Sequence, residues 1–442
     1  MRYNGFEDLL KRQAELLGDH IALVEEDTAL SYRDLFKKVI MRRDELMKTG
    51  KTCMGIICDT TIECVIEIFA CNLAGMQLVM LEKNLLADSL QKMLLYGDVD
   101  MLYPENDDLK GYLGRGVNEG KGRVLFFTSG TTSSSKAVVL TDRSLMNSAF
   151  NGYDKLPLSK EDTLLCILPL SHVFGFVCGL LWGLSSGAHV ALGRGQRHYM
   201  DDCSFYRPTV ISVVPMLLSF LVKYRLLNDE LKLILIGAGD CSDALLEAAG
   251  SLGRRICFGY GLTETSSGVA LSISGNPRAM EPCIDDDIRI EEDGEISIKC
   301  DTCMMQGYYK DPESTGDVLR NGRLYTGDLG RMDEEGKLYI LGRKKDILVF
   351  SDGTKIFLPE YEEKIGKVLG TDRFAVCKRN DKPILVMEKQ EMDRQKIMDL
   401  LNDIPGIPRG HRIHDVFILG HELPRTTNGK VKRWEIEKEW NQ

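Results

Sequence analysis

Short runs of β-branched and aliphatic residues alternate with amphipathic stretches along the first three-quarters of the chain. These segments are 55–59 (GIICD), 62–75 (IECVIEIFACNLAG), 124–128 (VLFFT), 189–193 (HVALG), 209–214 (TVISVV) and 231–237 (LKLILIG). Strands that alternate with helical segments are typical of βαβ units, whose sheets are mostly parallel. The pattern therefore predicts an α/β fold of layered sheets and helices.

The pattern changes after about Pro282. Residues 288–299 (IRIEEDGEISIK) and 337–342 (KLYILG) lie beside acidic turns that contain glycine, which is a hairpin signal. From about residue 346 onward, helical stretches (LPEYEEKIGKVL and MDRQKIMDLLN) mix with short strands (RFAVCKR, PILVMEK and DVFIL). This mixture predicts a small α+β domain at the C-terminal end.

No Lys, Arg, Asp or Glu occurs from Thr163 to Gly193, and this length alone would admit a membrane span. Pro169, His172 and several glycines interrupt the run. We therefore predict a strand end, a turn, a buried helix and a second strand here, and no membrane span.

Composition narrows the class of protein. The 442 residues suffice for two or three domains, and 56 Lys and Arg against 66 Asp and Glu give a net charge of −10. This acidic balance argues against duplex nucleic acid as the main partner. Thirteen cysteines without a regular spacing, together with a charged N-terminus, predict a reducing, cytoplasmic location. Cys300 and Cys303 form the only CxxC, and no second pair lies nearby to complete a zinc site.

The most informative segment is 124–140, in which an apolar strand enters a loop of small hydroxyl residues that ends at Lys136. Such a loop exposes successive backbone N–H groups, and the lysine adds a charge, so it suits a polyphosphate. It is not a Walker A loop, because a second β-like run follows Lys136 where that motif opens a helix. A polar hairpin turn is the alternative.

Five motifs follow one another along the chain, and they are 128–136 (TSGTTSSSK), 260–265 (YGLTET), 326–328 (TGD), 342–346 (GRKKD) and 424–430 (PRTTNGK). Their order and spacing resemble the motif series of the adenylate-forming (AMP-binding) superfamily, which includes acyl- and aryl-CoA ligases. The resemblance spans about residues 120–433. It implies a large N-terminal ATP- and acyl-binding domain (1–344) and a small mobile C-terminal domain (345–442), with a hinge near Lys345.

The resemblance also implies roles for individual residues. The implied ATP-binding residues are Thr128, Ser129, Gly130, Thr131, Thr132, Lys136, Gly237, Ala238, Gly239, Tyr260, Gly261, Asp328 and Arg343. The implied catalytic residues are Lys430, Glu264, Thr263 and His172, and Glu264 is also the implied Mg²⁺ ligand.

The chemistry of the side chains agrees with these roles. A glutamate supplies the hard oxygen that Mg²⁺ prefers, and an aspartate can accept from both hydroxyls of a ribose. A lysine such as Lys430 can stabilise the charge that develops on an α-phosphate. Taken singly, each of these residues would fit a solvated loop or a turn equally well.

By this resemblance, the protein activates a carboxylic acid with Mg·ATP to an acyl-adenylate and then transfers the acyl group to a thiol. Amino-acid-activating relatives commonly carry an Asp in the segment equivalent to 163–193, and its absence here favours a fatty or aryl acid. CoA is the expected acceptor. The phosphopantetheine of an acyl carrier protein remains open, because Lys378, Arg379 and Lys382 suit either partner.

Two alternatives belong to other classes. The phosphate loop has Ser133, Ser135 and Ala137 at positions where the superfamily more commonly has Gly, Pro and Gly. The region 1–120 is also compact for this superfamily. Both features suit a catalytically inactive nucleotide-binding homologue. A dinucleotide-dependent oxidoreductase would use Gly237 and Gly239, but position 242 is Ser where the third glycine belongs.

Overall fold

The computed structural model describes residues 2–117, 120, 122–128, 136–351, 355–388, 393–402, 404, 412–425 and 431–440. The strands in these ranges are β1 (Ile21–Glu25), β2 (Thr28–Ser31), β3 (Cys53–Cys58), β4 (Gln77–Glu82), β5 (Met101–Tyr103), β6 (Arg123–Phe127), β7 (Ala137–Thr141), β8 (Thr163–Cys166), β9 (His189–Leu192), β10 (Val210–Val213), β11 (Leu233–Ile236), β12 (Arg255–Leu262), β13 (Ser267–Leu271), β14 (Glu281–Pro282), β15 (Asp287–Ile290), β16 (Glu295–Lys299), β17 (Gly307–Tyr308), β18 (Leu319–Arg320), β19 (Arg323–Met332), β20 (Leu338–Arg343), β21 (Ile347–Val349), β22 (Lys355–Phe357), β23 (Phe374–Arg379), β24 (Lys382–Met387) and β25 (Asp415–Ile418).

The helices in the same ranges are α1 (Phe6–Leu17), α2 (Tyr32–Met47), α3 (Ile62–Leu73), α4 (Ala87–Tyr96), α5 (Asp142–Lys155), α6 (Val173–Phe176), α7 (Trp182–Ser186), α8 (Tyr199–Tyr206), α9 (Pro215–Lys223), α10 (Asp243–Gly250), α11 (Pro312–Val318), α12 (Leu358–Leu369), α13 (Arg394–Asn402) and α14 (Arg433–Trp440).

Two large sheets form the main part of the fold. A nine-stranded sheet has the order β14-β13-β12-β11-β10-β8-β9-β1-β2, and a six-stranded sheet has the order β17-β7-β6-β4-β3-β5. Pairing is parallel from β12 to β1 in the first sheet and from β6 to β5 in the second, with antiparallel strands at the remaining positions. The predicted α/β fold with mostly parallel sheets is confirmed.

Antiparallel strands follow, as the sequence pattern predicts. The third sheet has the order β15-β16-β19-β18, with β20 on β19, and β15 and β16 form the expected hairpin. Beyond it lie the hairpin β21–β22 and a sheet of β23, β24 and β25. The latter sheet packs with α12 and α13 around a core whose described members all follow residue 345, among them Phe350, Ile365 and Val376.

The uncharged segment forms the predicted strand, turn, helix and strand. It consists of β8, α6, a turn of π-helix (Val177–Leu181), α7 and β9. Among the described residues, none of the helices combines the length and the apolar character that a membrane crossing requires.

The buried CxxC pair lies just before β17. The backbone N–H of Cys303 donates to Sγ of Cys300 at 3.1 Å, and both side chains are buried. All thirteen cysteines are free thiols. Within the described ranges, no group of three His, Cys, Asp or Glu residues is placed to hold a metal ion.

Four buried phenylalanines join the two large sheets. Phe6 on α1 contacts Phe69 on α3 with ring centroids 5.2 Å apart, and it contacts Phe176 on α6 at 5.9 Å. Phe176 in turn contacts Phe126 on β6 at 5.8 Å. Since α6 follows β8 of the nine-stranded sheet and β6 belongs to the six-stranded sheet, Phe176 packs elements of both against each other.

We expect Phe176→Ala to lower the free energy of unfolding by about 3–5 kcal/mol, because it leaves a cavity in a fully buried site. Urea unfolding followed by tryptophan fluorescence measures this loss. Phe205→Ala is the control, since Phe205 is 56% exposed and should change stability by only about 0.5 kcal/mol. Equal losses in the two variants would contradict the proposed role of the cluster.

Candidate active site

The two ends of the phosphate-loop candidate are held together by backbone pairing. The N–H of Thr128 donates to the carbonyl oxygen of Lys136 at 2.9 Å, and the N–H of Lys136 lies 3.4 Å from the Thr128 hydroxyl. β6 and β7 pair antiparallel on either side, so a strand follows Lys136, as predicted. This hairpin fixes the position of the lysine backbone at the edge of the loop.

Glu264 lies in a tight turn that the end of β12 requires. A Cβ atom at Gly261 would overlap the backbone oxygen of Ser267, so only glycine fits there. Thr263–Thr265 form a single 3₁₀ turn, after which Ser266 and Ser267 adopt positive φ values of 56° and 112°. Non-glycine residues rarely adopt this backbone, and such strain concentrates at functional sites. The turn presents the half-buried Glu264 side chain.

Tyr308 connects Glu264 with Lys136. Its hydroxyl donates to Oε1 of Glu264 at 2.7 Å, and the Lys136 ammonium lies 4.6 Å from the centroid of its ring. Burial raises the pKa of Tyr308, and the charge of Glu264 is the second largest cause of this rise. Tyr308 reaches this position because β17 pairs with β7, the strand that follows Lys136.

The side chain of Asp328 is buried, with 6% exposed, and each of its carboxylate oxygens has a partner. Its Oδ1 lies 2.6 Å from Nε of Arg343, and its Oδ2 accepts from the Tyr260 hydroxyl at 2.8 Å. Burial and then the charge of Asp328 raise the pKa of Tyr260 well above its ordinary value. The register of β19 and β20 places Asp328 opposite Arg343. Three of the predicted residues, from separate motifs, thus meet at one point.

A cavity of about 410 Å³ lies beside this cluster. Its lining residues are Thr326, Gly327, Arg343, Lys344 and Lys345. The predicted hinge residue Lys345 therefore borders the same space as Arg343. At the preceding Gly342, with a φ of +145°, a Cβ atom would overlap the ring of Phe357, so the chain passes close to β22 at this point.

The small-residue segment after β11 lies beside the uncharged segment. A Cβ atom at Gly237 would come within 2.9 Å of the ring of Phe174, and Ala238 adopts a positive φ of 61°. Gly239 follows, half-buried against Pro215. His172 is half-buried and immediately precedes α6, which carries Phe174. These residues bring the end of β11 and the His172 segment together.

The predicted Ser129, Gly130, Thr131, Thr132 and Lys430 lie outside the described residues. Tyr308, in contrast, lies in the site although the sequence analysis did not predict it as a site residue. Only the pairing of β17 with β7 brings it there, and neither the spacing nor the local pattern around 307–312 indicates that pairing.

Comparisons with known proteins indicate the family of this chain. A profile of the family described as AMP-binding enzyme matches residues 115–309. The 2-succinylbenzoate–CoA ligase of Bacillus velezensis is 30% identical over 401 residues, covering 80% of this chain and 81% of that protein.

Solved structures share the fold over nearly the whole chain. The O-succinylbenzoate coenzyme A synthetase of Bacillus subtilis in complex with AMP matches with a TM-score of 0.83 and 23% identity, covering 97% of this chain and 98% of that chain. The same enzyme with ATP and a magnesium ion gives a TM-score of 0.81 at 23% identity, covering 97% and 99%. The chain therefore belongs to the AMP-binding enzyme family, and it is an acid–thiol ligase of the AMP-forming type.

Proposed function

We propose that this protein joins an aryl acid, 2-succinylbenzoate, to CoA at the expense of ATP, with an acyl-adenylate as the intermediate. The observation that carries the proposal is the convergence of Tyr260 and Arg343 on the buried carboxylate of Asp328. This cluster suits the ribose and α-phosphate of a nucleotide, and it lies in a member of a family whose relatives are CoA ligases.

The Asp328 carboxylate fits a ribose. A carboxylate has about four lone-pair sites, and the hydrogen bonds from Tyr260 and Arg343 engage one on each oxygen. A carboxylate can accept from both hydroxyls of a ribose, which is the contact that we assign to Asp328. Arg343, whose side chain is 40% exposed, can turn its remaining donors towards the α-phosphate. We assign the adenine to the space beside Tyr260.

Glu264 and Thr263 supply the hard oxygen donors that Mg²⁺ prefers, so the donor set fits this ion. When bound, Mg²⁺ would neutralise charge on the ATP phosphates. The B. subtilis enzyme has been solved with ATP and a magnesium ion, which supports both as cofactors here. We assign the β- and γ-phosphates to Lys136 together with Ser129, Thr131 and Thr132.

The reaction then needs two steps. In the first, a carboxylate oxygen of the acid attacks the α-phosphorus, the α–β anhydride bond breaks, and pyrophosphate leaves with the bonding electrons. We assign the developing charge to Lys430. In the second, the CoA thiolate attacks the acyl carbon and AMP leaves. We propose that the region after Lys345 is a separate domain that turns between these steps.

The relatives support an aryl acid. Those described above are named for 2-succinylbenzoate, an aromatic acid with a second carboxylate. The uncharged segment beside Gly237 offers apolar contacts and carries no acidic residue that would bind an α-amino group. CoA is the proposed acceptor because these relatives are CoA ligases.

ATP–pyrophosphate exchange tests the function directly. We expect exchange with 2-succinylbenzoate that exceeds exchange with fatty acids and amino acids, and an acyl-CoA product when CoA is added. Exchange without acyl-CoA would indicate a carrier protein as the acceptor. No exchange with any acid, although ATP binds, would indicate an inactive nucleotide-binding homologue.

We expect Asp328→Asn to raise the Kd of ATP by about 10-fold or more, because hydrogen bonds to a charged group are worth about 1.5–3 kcal/mol. Isothermal titration calorimetry measures this change. Asp333→Asn is the matched control, since Asp333 accepts from the backbone N–H groups of Glu335 and Lys337 in the β19–β20 turn. An unchanged Kd in Asp328→Asn would contradict the assigned ribose contact.

Lys430→Ala should lower acyl-adenylate formation by about 100-fold or more, since one preorganised electrostatic donor contributes that much to such a step. Thioester formation from a supplied acyl-adenylate should remain largely intact. The two half-reactions are measured separately by product analysis. Lys432→Ala is the control, because Lys432 pairs with Glu435. Equal loss in both half-reactions would exclude the role assigned to Lys430.

A further inference from the structure

We propose that Tyr308 is a positioning residue that holds Glu264 and Lys136 in place for Mg·ATP. This role rests on the proposed function, in which Glu264 binds the metal ion and Lys136 binds the phosphates. Tyr308 contacts both residues through different parts of its side chain, the hydroxyl and the ring.

Glu264 is held twice by one segment of chain. The backbone N–H of Met305 donates to the carbonyl oxygen of Glu264 at 2.8 Å, and the Tyr308 hydroxyl donates to its Oε1 at 2.7 Å. The carboxylate keeps lone pairs beyond the one that accepts this bond, so the bond orients it without ending its capacity as a ligand. Hydrogen bonds of this kind commonly fix the orientation of metal-binding carboxylates.

Lys136 is held by the same tyrosine. Its backbone is fixed by the pairing with Thr128, but its side chain has four rotatable bonds and is half-buried. The ammonium lies 4.6 Å from the ring centroid, within the range of a cation–π contact. The ring therefore gives the lysine a defined position against the same side chain whose hydroxyl contacts Glu264.

The position of Tyr308 is itself fixed by the fold. The residue is 9% exposed, its N–H donates to the Thr315 hydroxyl at 2.9 Å, and its Cα pairs with that of Val138 on β7. The tyrosine is thus anchored by its backbone and presents its hydroxyl and ring to the two site residues. A side chain that is already held in place before the nucleotide binds reduces the entropy cost of ordering, on binding, the residues that it contacts.

Tyr308→Phe separates the two contacts, because it removes the hydroxyl and keeps the ring. We measure binding of Mn²⁺, a spectroscopic substitute for Mg²⁺, to the enzyme–ATP complex by electron paramagnetic resonance, without acid, so that no turnover occurs. Tyr308→Phe should weaken Mn²⁺ binding by about 10-fold, as is usual when a hydrogen bond that orients a metal ligand is lost. The Kd of ATP in EDTA should stay within about twofold of wild type, because the contact between the ring and Lys136 remains.

Tyr308→Leu removes the ring as well. It should weaken ATP binding in EDTA in addition to Mn²⁺ binding, because Lys136 loses its support. Tyr309→Phe is the matched control, since the neighbouring Tyr309 hydroxyl donates to a different carboxylate, Asp98, at 2.7 Å. It should leave both affinities unchanged. Thermal unfolding of each variant checks that the fold persists.

The outcomes separate this role from the function on which it rests. Equal Mn²⁺ affinity in wild type and Tyr308→Phe, with ATP still bound, would overturn the role of Tyr308 alone. The same shift in Tyr309→Phe would also overturn it, because the effect would then come from strand packing. Failure of the wild type to bind ATP would overturn the proposed function and this role together.

Discussion

The described part of the site depends on the contacts that Tyr260 and Arg343 make with the Asp328 carboxylate. A carboxylate on a side chain that is only 6% exposed requires hydrogen-bonding partners, because the cost of removing its charge from water is large. Tyr260 comes from β12 of the nine-stranded sheet, and Arg343 comes from β20 of the antiparallel sheet. The hydrogen bond from Tyr260 to Asp328 therefore joins the nine-stranded sheet to the antiparallel sheet, and the cavity beside Arg343 is lined by residues of β19, β20 and the turn after β20.

The other half of the site depends on the six-stranded sheet. β7 places Lys136, and β17 on the edge of the same sheet places Tyr308, which contacts Glu264 at the end of β12. Both halves of the site thus meet at β12. This strand carries Tyr260 just before Gly261 and leads into the turn that contains Glu264. In this turn Gly261 approaches the backbone of Ser267 so closely that no side chain would fit between them.

Much of the fold follows from local pattern. Helix α12 has the bounds that the sequence predicts, since Pro359 lies in its first turn and Gly370 ends it in the left-handed conformation. The contacts within the site are different, because they join residues far apart in sequence. Tyr308 and Glu264 are 44 positions apart, and Tyr260 and Asp328 are 68 apart. Motif resemblance indicated Tyr260, Asp328 and Glu264 individually, but only the sheet topology shows which of them touch. The roles of these three residues stay predictions, as do those of 129–132 and Lys430.

The central claim is that Asp328, held between Tyr260 and Arg343, binds the ribose of ATP. Comparing the Kd values of ATP, 2′-deoxy-ATP and 3′-deoxy-ATP for the wild-type protein tests it most directly. The account predicts that loss of either hydroxyl weakens binding by about 10-fold, since each loss removes a hydrogen bond to a charged group. Equal affinities for all three nucleotides would contradict it.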